Sequence, residues 1–79
     1  MIHSLKTWPE YFEAVLSGKK NFEVRKNDRD YNVGHVLILK EWNPETESYT
    51  GREIARGVSY ILHGGSFGIE SGTVVMSLS

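Results

Sequence analysis

The sequence predicts a small, mainly β domain: a five-stranded β-barrel with one N-terminal helix packed against it. Three observations support this prediction. Only one segment of the 79 residues has a strong helical pattern, and it lies near the start of the chain. Five short segments carry strand patterns instead, and turn-forming residues separate them. Several short strands on so short a chain favour a closed or nearly closed barrel, and the length leaves room for one core, so we predict a single domain over residues 1–79.

The helix is predicted over residues 8–17. Thr7 and Glu10 have the spacing of a capping box, and Pro9 falls in the first turn, where its missing N–H costs nothing. Gly18 is typical of the left-handed residue that ends a helix. The apolar face of this helix is predicted to comprise Trp8, Phe12, Val15 and Leu16.

The strands are predicted from alternating or wholly apolar runs that are bounded by turn residues. They cover residues 2–6, 20–26, 36–42, 53–62 and 73–78. Gly57 interrupts the fourth strand and predicts a bulge or bend there. In the second strand, Phe22 and Val24 alternate with charged residues, so we expect these two to face the core and the charges to face solvent.

Composition excludes several classes of function. The chain has no cysteine, which rules out disulfides, a thiol nucleophile and cysteine zinc sites. No signal peptide or membrane-spanning run is visible, so we expect a cytoplasmic protein without membrane contact. His3, His35 and His63 share no ligand spacing and are interpreted as surface or loop residues. We therefore predict no metal site and no cofactor.

Charge is unevenly distributed although the net charge is only −1. Residues 19–29 are basic, and residues 41–53 are acidic. Within the basic segment, Lys20, Glu23 and Arg25 are the groups that a site for an anionic or polar ligand needs. Strand alternation places Lys20 on the opposite face from the other two, so all three meet only if Lys20 lies at the corner between helix and strand. Ordinary solvated charges are the alternative interpretation.

The same segment carries a family resemblance. Gly18, Lys20, Glu23 and Arg25 match the pattern Gly-x-Lys-x-x-Glu-x-Arg, which resembles the signature of the ASCH domain, a PUA-like β-barrel family linked to RNA. The order of helix, motif and strands is similar as well, so the resemblance covers essentially the whole chain. Small ASCH-like domains of unknown function from bacteria and phages are similar to the chain in this respect. The resemblance implies a cleft between helix and barrel that holds RNA or a modified nucleoside.

From the resemblance and the local chemistry we predict an RNA- or nucleotide-binding module that acts as a monomer. Arg25 can fork onto a phosphate or a base edge, and Lys20 offers a point charge. Trp8 and Tyr31 are candidates to stack a base, although packing explains both as well. The complete set of candidate ligand-binding residues is Lys20, Glu23, Arg25, Lys26, Arg29, Trp8, Tyr31, Ser66 and Phe67.

Two alternatives stay open beside non-catalytic binding, which is the preferred interpretation. The first is a hydrolase that acts on a modified nucleoside or on RNA. One branch of the ASCH family is similar to small amidohydrolases that remove an acyl group from a cytidine amine. There a threonine stands at the position of Glu23, so its nucleophile role is not carried over. In a modified scheme Glu23 activates water, Lys20 holds the developing oxyanion, and Glu70 is the candidate for a second acidic residue. The other alternative is an interaction domain that meets a protein partner through the acidic 41–53 segment.

Overall fold

The computed structural model describes all 79 residues and contains one helix and five strands. The elements in chain order are β1 (Ile2–Thr7), α1 (Pro9–Leu16), β2 (Phe22–Lys26), β3 (Val36–Asn43), β4 (Ser48–His63) and β5 (Thr73–Leu78). The predicted order of elements is confirmed. The largest difference in bounds is the early start of β4, which arises because Ser48 and Tyr49 pair with Asn43 and Trp42 and so shorten the preceding turn.

The five strands form one mixed sheet in the order β1-β3-β4-β5-β2. Strand β1 runs parallel to β3, and every other pair is antiparallel. The long strand β4 pairs with β3 through its first half and with β5 through its second half. Its register shifts between Val58 and Tyr60, directly after Gly57, which confirms the irregularity predicted there.

The predicted closure into a barrel is wrong, because β1 and β2 are the two edges of the sheet and do not pair with each other. Side chains cross the gap instead. Arg25 Nη2 donates to the carbonyl oxygen of Lys6 at 3.0 Å, and Arg29 Nη1 donates to that of Ser4 at 2.7 Å. Two strands bridged by guanidinium groups lie farther apart than two strands joined by main-chain hydrogen bonds. The seam between β1 and β2 therefore stays open where Arg25 and Arg29 lie.

Helix α1 differs from its prediction at its first turn. Trp8 is the N-cap and makes no side-chain cap, while Thr7 still belongs to β1 and its hydroxyl donates to Leu5 O at 3.4 Å. The predicted capping box is therefore wrong, because a residue held in a strand does not turn its hydroxyl onto the helix. Pro9 in the first turn and Gly18 with φ +80° confirm the other two helix signals. With eight residues, α1 is far too short to span a bilayer, and the structure has no other helix.

The core is formed by side chains from the sheet, one face of α1 and the segment before β3. Phe12 and Val15 are the buried residues of α1, whereas Trp8 and Leu16, predicted on the same face, are about half exposed. Tyr31 joins this core from the segment that precedes β3. The main apolar cluster comprises Leu5, Val15, Tyr31, Leu37, Leu39, Val58, Val74 and Met76.

An ion-pair network attaches α1 to the sheet. The guanidinium of Arg52 in β4 forks onto the buried carboxylate of Glu41, with Nε–Oε1 and Nη2–Oε2 distances of 3.0 and 3.1 Å. The same group reaches Glu13 of α1 at 2.9 Å and lies over the ring of Phe12. Hydrogen bonds from Arg52 and Thr50 hold the pKa of Glu41 below its usual value. Glu41 is thus a structural carboxylate, and it does not belong to a free acidic surface.

The interpretation of the histidines as surface or loop residues is wrong for His3, which is buried beside His35. The Nε2 atom of His3 lies 2.9 Å from Nδ1 of His35. The main-chain N–H of Asn32 donates to the same Nδ1, with an N–N distance of 3.3 Å. Because Asn32 N–H must donate, Nδ1 of His35 is an acceptor and His3 supplies the proton of the shared hydrogen bond. His3 sits on an inward-facing position of β1, so strand alternation carries it into the core.

This burial makes stability depend on pH. Burial, and to a lesser extent the nearby His35 and Arg29, lower the pKa of His3 below its ordinary value of 6.5. The unfolded chain therefore binds more protons than the folded one, so the stabilisation is complete above pH 6.5 and is lost as the pH falls below it. We expect the melting temperature to drop between pH 7.5 and pH 5.5, and a His3→Phe variant to lose part of that dependence. The exposed His63 is the matched control: a His63→Gln variant should keep the full dependence, and an equal change in both variants would contradict the assignment.

Candidate functional site

Strand β2 turns its charged face inward. Glu23 is only 3% exposed, whereas Phe22 and Val24 are 45% and 52% exposed. The expectation that Phe22 and Val24 face the core is therefore wrong. Because β2 is an edge strand, its inner face meets the gap beside β1, and a carboxylate that is paired with two cations can be buried there.

The carboxylate of Glu23 is held between two cations. Its Oε1 lies 2.7 Å from Lys20 Nζ, and its Oε2 lies 2.9 Å from Arg25 Nε. Lys20 stands outside β2, after the left-handed Gly18, and its ammonium also donates to Phe22 O at 2.8 Å. This confirms that the three charged groups meet because Lys20 lies at the corner between helix and strand.

A cleft of about 550 Å³ opens beside this cluster, between the end of β1, the start of α1 and strand β2. Two aromatic side chains one helical turn apart, Trp8 and Tyr11, are each about half exposed along it. The volume is within the usual range for a small-molecule site. The lining residues are Lys6, Thr7, Trp8, Tyr11, Lys20, Glu23, Val24 and Arg25.

The cleft is positively charged. Its lining contains three cationic side chains and one carboxylate, and Glu23 already shares its charge with two of those cations. Arg25 uses one N–H on Glu23 and one on Lys6 O, which leaves the rest of the guanidinium for a ligand. Lys20 engages Glu23 and Phe22 O and keeps one further ammonium proton.

The structure brings four of the predicted site residues together and separates the other five from them. Trp8, Lys20, Glu23 and Arg25 line the cleft. Lys26 is exposed outside the cleft. Arg29 bridges the seam between β1 and β2 through its hydrogen bond to Ser4 O.

Tyr31, Ser66 and Phe67 lie away from the cleft. Tyr31 is buried and packs edge-on against His3, with ring centroids 4.8 Å apart, so its ring is not open for stacking. Burial raises the pKa of its hydroxyl. Ser66 and Phe67 are exposed on the connection between β4 and β5. They do not line the cleft, because this connection joins the other end of β2, where Gly72 O accepts from Asn27 N.

Sequence reasoning missed four lining residues. Tyr11 had a usable signal, because it follows Trp8 by three positions and so shares a face of the helix with it. Lys6, Thr7 and Val24 had none, since their places in the cleft depend on the approach of β1 to β2. Lys6 also places its ammonium over the ring of Trp42, 4.1 Å from the centroid.

Comparison with known proteins gives a family and a phage relative. Residues 2–78 match the model of a family described as a domain of unknown function, DUF3850. A protein of Escherichia phage P2, described as an uncharacterized 12.9 kDa protein in the GpA 3' region, is 47% identical over 53 residues. The match covers 67% of this chain and 47% of the phage protein, so the chain spans about half the length of that relative. Neither description mentions an ASCH or PUA-like domain, RNA or catalysis.

Proposed function

The chain belongs to the DUF3850 family of unknown function, and we propose that it is a non-catalytic module that binds RNA or a nucleotide in the cleft beside Glu23. One observation carries the proposal: the cleft combines two half-exposed aromatic rings with the cationic groups of Lys20 and Arg25. A nucleotide offers a partner to both, since its base has a flat π face and its phosphate is negative.

The cationic side of the cleft suits a phosphate. Glu23 and the carbonyl of Lys6 fix the guanidinium of Arg25 before any ligand arrives, so little side-chain freedom is lost on binding. The free N–H groups of Arg25 can then fork onto two phosphate oxygens, and Lys20 adds a single donor beside them. Binding of this kind weakens as salt concentration rises.

The aromatic side of the cleft suits a base. Trp8 and Tyr11 lie at the first turn of α1 and leave about half of each side chain accessible. Stacking of one base on an aromatic side chain contributes about 1–3 kcal/mol and tolerates any base. A short single strand is therefore a better ligand for this cleft than a duplex, whose bases are already stacked.

The likeness to ASCH domains supports the same proposal. The Gly18–Arg25 motif follows the first helix, and its three charged residues meet at a cleft beside that helix, as the likeness implies. We propose that the chain is a PUA-like domain with an open seam, in which arginine side chains replace the pairing of β1 with β2.

The geometry favours binding over hydrolysis of a modified nucleoside. Both oxygens of Glu23 are engaged by cations, so the carboxylate is not free to activate water as the hydrolase scheme requires. Incubation with acylated cytidine, followed by chromatography, should show no product. Product that disappears in a Lys20→Met variant would favour the hydrolase.

Replacing Arg25 by alanine should weaken RNA binding about tenfold. It should also reduce the slope of the logarithm of the binding constant against the logarithm of the salt concentration by about one, which corresponds to one lost phosphate contact. Fluorescence anisotropy of labelled RNA pentamers at several salt concentrations measures both quantities. Lys26→Ala is the matched control, because Lys26 carries the same charge on the same strand but lies outside the cleft. Equal losses in the two variants would mean that diffuse charge, not the cleft, binds RNA. Failure of the unmodified protein to bind any pentamer at low salt would overturn the proposal.

A further inference from the structure

The free edge of β2 faces the cleft, and the register with β5 shows which main-chain groups lie on it. Asn21 O accepts from Leu78 N at 2.9 Å, and Asn27 N donates to Gly72 O at 2.8 Å. In an antiparallel pair, successive residues direct their N–H and C=O groups alternately toward and away from the partner strand. The odd-numbered residues of β2 therefore bond to β5. The even-numbered residues Phe22, Val24 and Lys26 direct their main-chain groups away from it.

The opposite wall of the cleft is the free edge of β1. Met1 O accepts from Val36 N at 3.0 Å, so the odd-numbered residues of β1 bond to β3. Ser4 and Lys6 direct their main-chain groups toward the gap, which is why Arg29 and Arg25 can bind their carbonyl oxygens. The carbonyl oxygens of Ser4 and Lys6 are thus already occupied.

Val24 is the residue of β2 that offers the cleft both a free donor and a free acceptor. Phe22 O is occupied by Lys20, and Lys26 does not line the cleft. No side chain bonds to the N–H or C=O of Val24, and its position in the register directs both groups into the gap. A donor and an acceptor side by side on one residue form the pattern that a neighbouring strand or the edge of a base completes.

The residues beside Val24 prevent a complete additional β-strand from pairing with the free edge of β2. Lys20 closes the edge at Phe22, and Arg25 crosses the gap to Lys6 O on the other side. A ladder needs several successive free positions, whereas the edge of one planar base needs only the single pair at Val24. Trp8 and Tyr11 line the same cleft and supply faces against which that base can stack.

We infer that the main chain of Val24 reads the Watson–Crick edge of an unpaired base. Its N–H donates to an acceptor on that edge, and its C=O accepts from an adjacent amino or imino group. The inference rests on the proposed nucleotide-binding function and adds the group that selects single strands. A paired base has its Watson–Crick edge occupied and is rejected at this position.

The test compares two ligands on three proteins. Pentamers of A, C and U are titrated at low salt, and the tightest is compared with a version whose bases are uncharged and methylated on the Watson–Crick edge, which carries N6,N6-dimethyladenine, N4,N4-dimethylcytosine or 3-methyluracil. Val24→Pro removes the N–H, and proline is tolerated where the N–H of an edge strand points away from the ladder. Val24→Ala makes a similar change in the side chain and keeps the N–H.

We expect methylation to weaken binding to the unmodified protein and to Val24→Ala about tenfold, as the loss of one or two hydrogen bonds does. Val24→Pro should bind the unmethylated pentamer more weakly and discriminate less between the two.

The outcomes separate this inference from the function on which it rests. If the unmodified protein binds both pentamers equally and Arg25→Ala still weakens binding, stacking and phosphate contacts suffice and the inference fails alone. If no pentamer binds, the inference and the proposed function both fail. If Val24→Pro does not fold, as judged by circular dichroism, the comparison of the two pentamers on the unmodified protein decides the question.

Discussion

Replacing Glu23 by glutamine is expected to lower the free energy of unfolding by about 3 kcal/mol, because removal of the buried carboxylate leaves its two partly buried cations uncompensated. The glutamine side chain has the same shape, but its NH₂ group would face one of two donors, Lys20 Nζ or Arg25 Nε. Both cations keep some contact with solvent, with side chains 18% and 27% exposed, so the loss should lie at the lower end of the range for buried pairs.

Urea unfolding followed by circular dichroism measures this loss. Glu53→Gln is the matched control, because Glu53 is an exposed glutamate of β4 outside the ion pairs and should change stability by less than about 0.5 kcal/mol. A double variant that also replaces Arg25 by methionine should lose less than the sum of the two single variants, since one uncompensated charge is then absent. Additive losses would show that Glu23 and Arg25 do not stabilise each other.

Replacing Gly64 by alanine is expected to lower the free energy of unfolding by about 3 kcal/mol through steric overlap. Gly64 N donates to Thr73 O at 2.7 Å, which closes the connection between β4 and β5. A Cβ atom at this position would overlap the carbonyl group of Glu70 and lie 2.9 Å from Thr73 O. These neighbours are main-chain atoms, so the connection must shift for the side chain to fit.

The neighbouring Gly65 provides the control for this effect. Its φ of +103° strains any side chain, but no atom lies within 4 Å of the position a Cβ would occupy. Gly65→Ala should therefore cost only the backbone strain, about 1–2 kcal/mol. Thermal unfolding of both variants measures the difference. A larger loss for Gly65→Ala than for Gly64→Ala would contradict the close approach at Gly64.

Local signals in the sequence were enough to predict the elements and one part of the site. Helical spacing, Pro9 and Gly18 located α1, and alternation located the strands within a few residues, apart from the early start of β4. Lys20, Glu23 and Arg25 lie within six consecutive positions, so the corner after Gly18 suffices to bring their charges together. Contacts of this kind depend on short-range geometry, which residue order largely determines.

The tertiary structure alone decided which faces are buried and which strand edges are free. The alternation in β2 is compatible with either face of the strand turned inward. The prediction that the apolar face with Phe22 and Val24 is buried was wrong, because β2 is an edge strand beside the open seam. The same long-range arrangement placed Tyr31 in the core and left the main chain of Val24 without a partner. These features depend on how β1 and β2 approach each other across the sheet. They are separated by a helix in the chain and joined in space only by side chains, so no local pattern in the sequence records their distance.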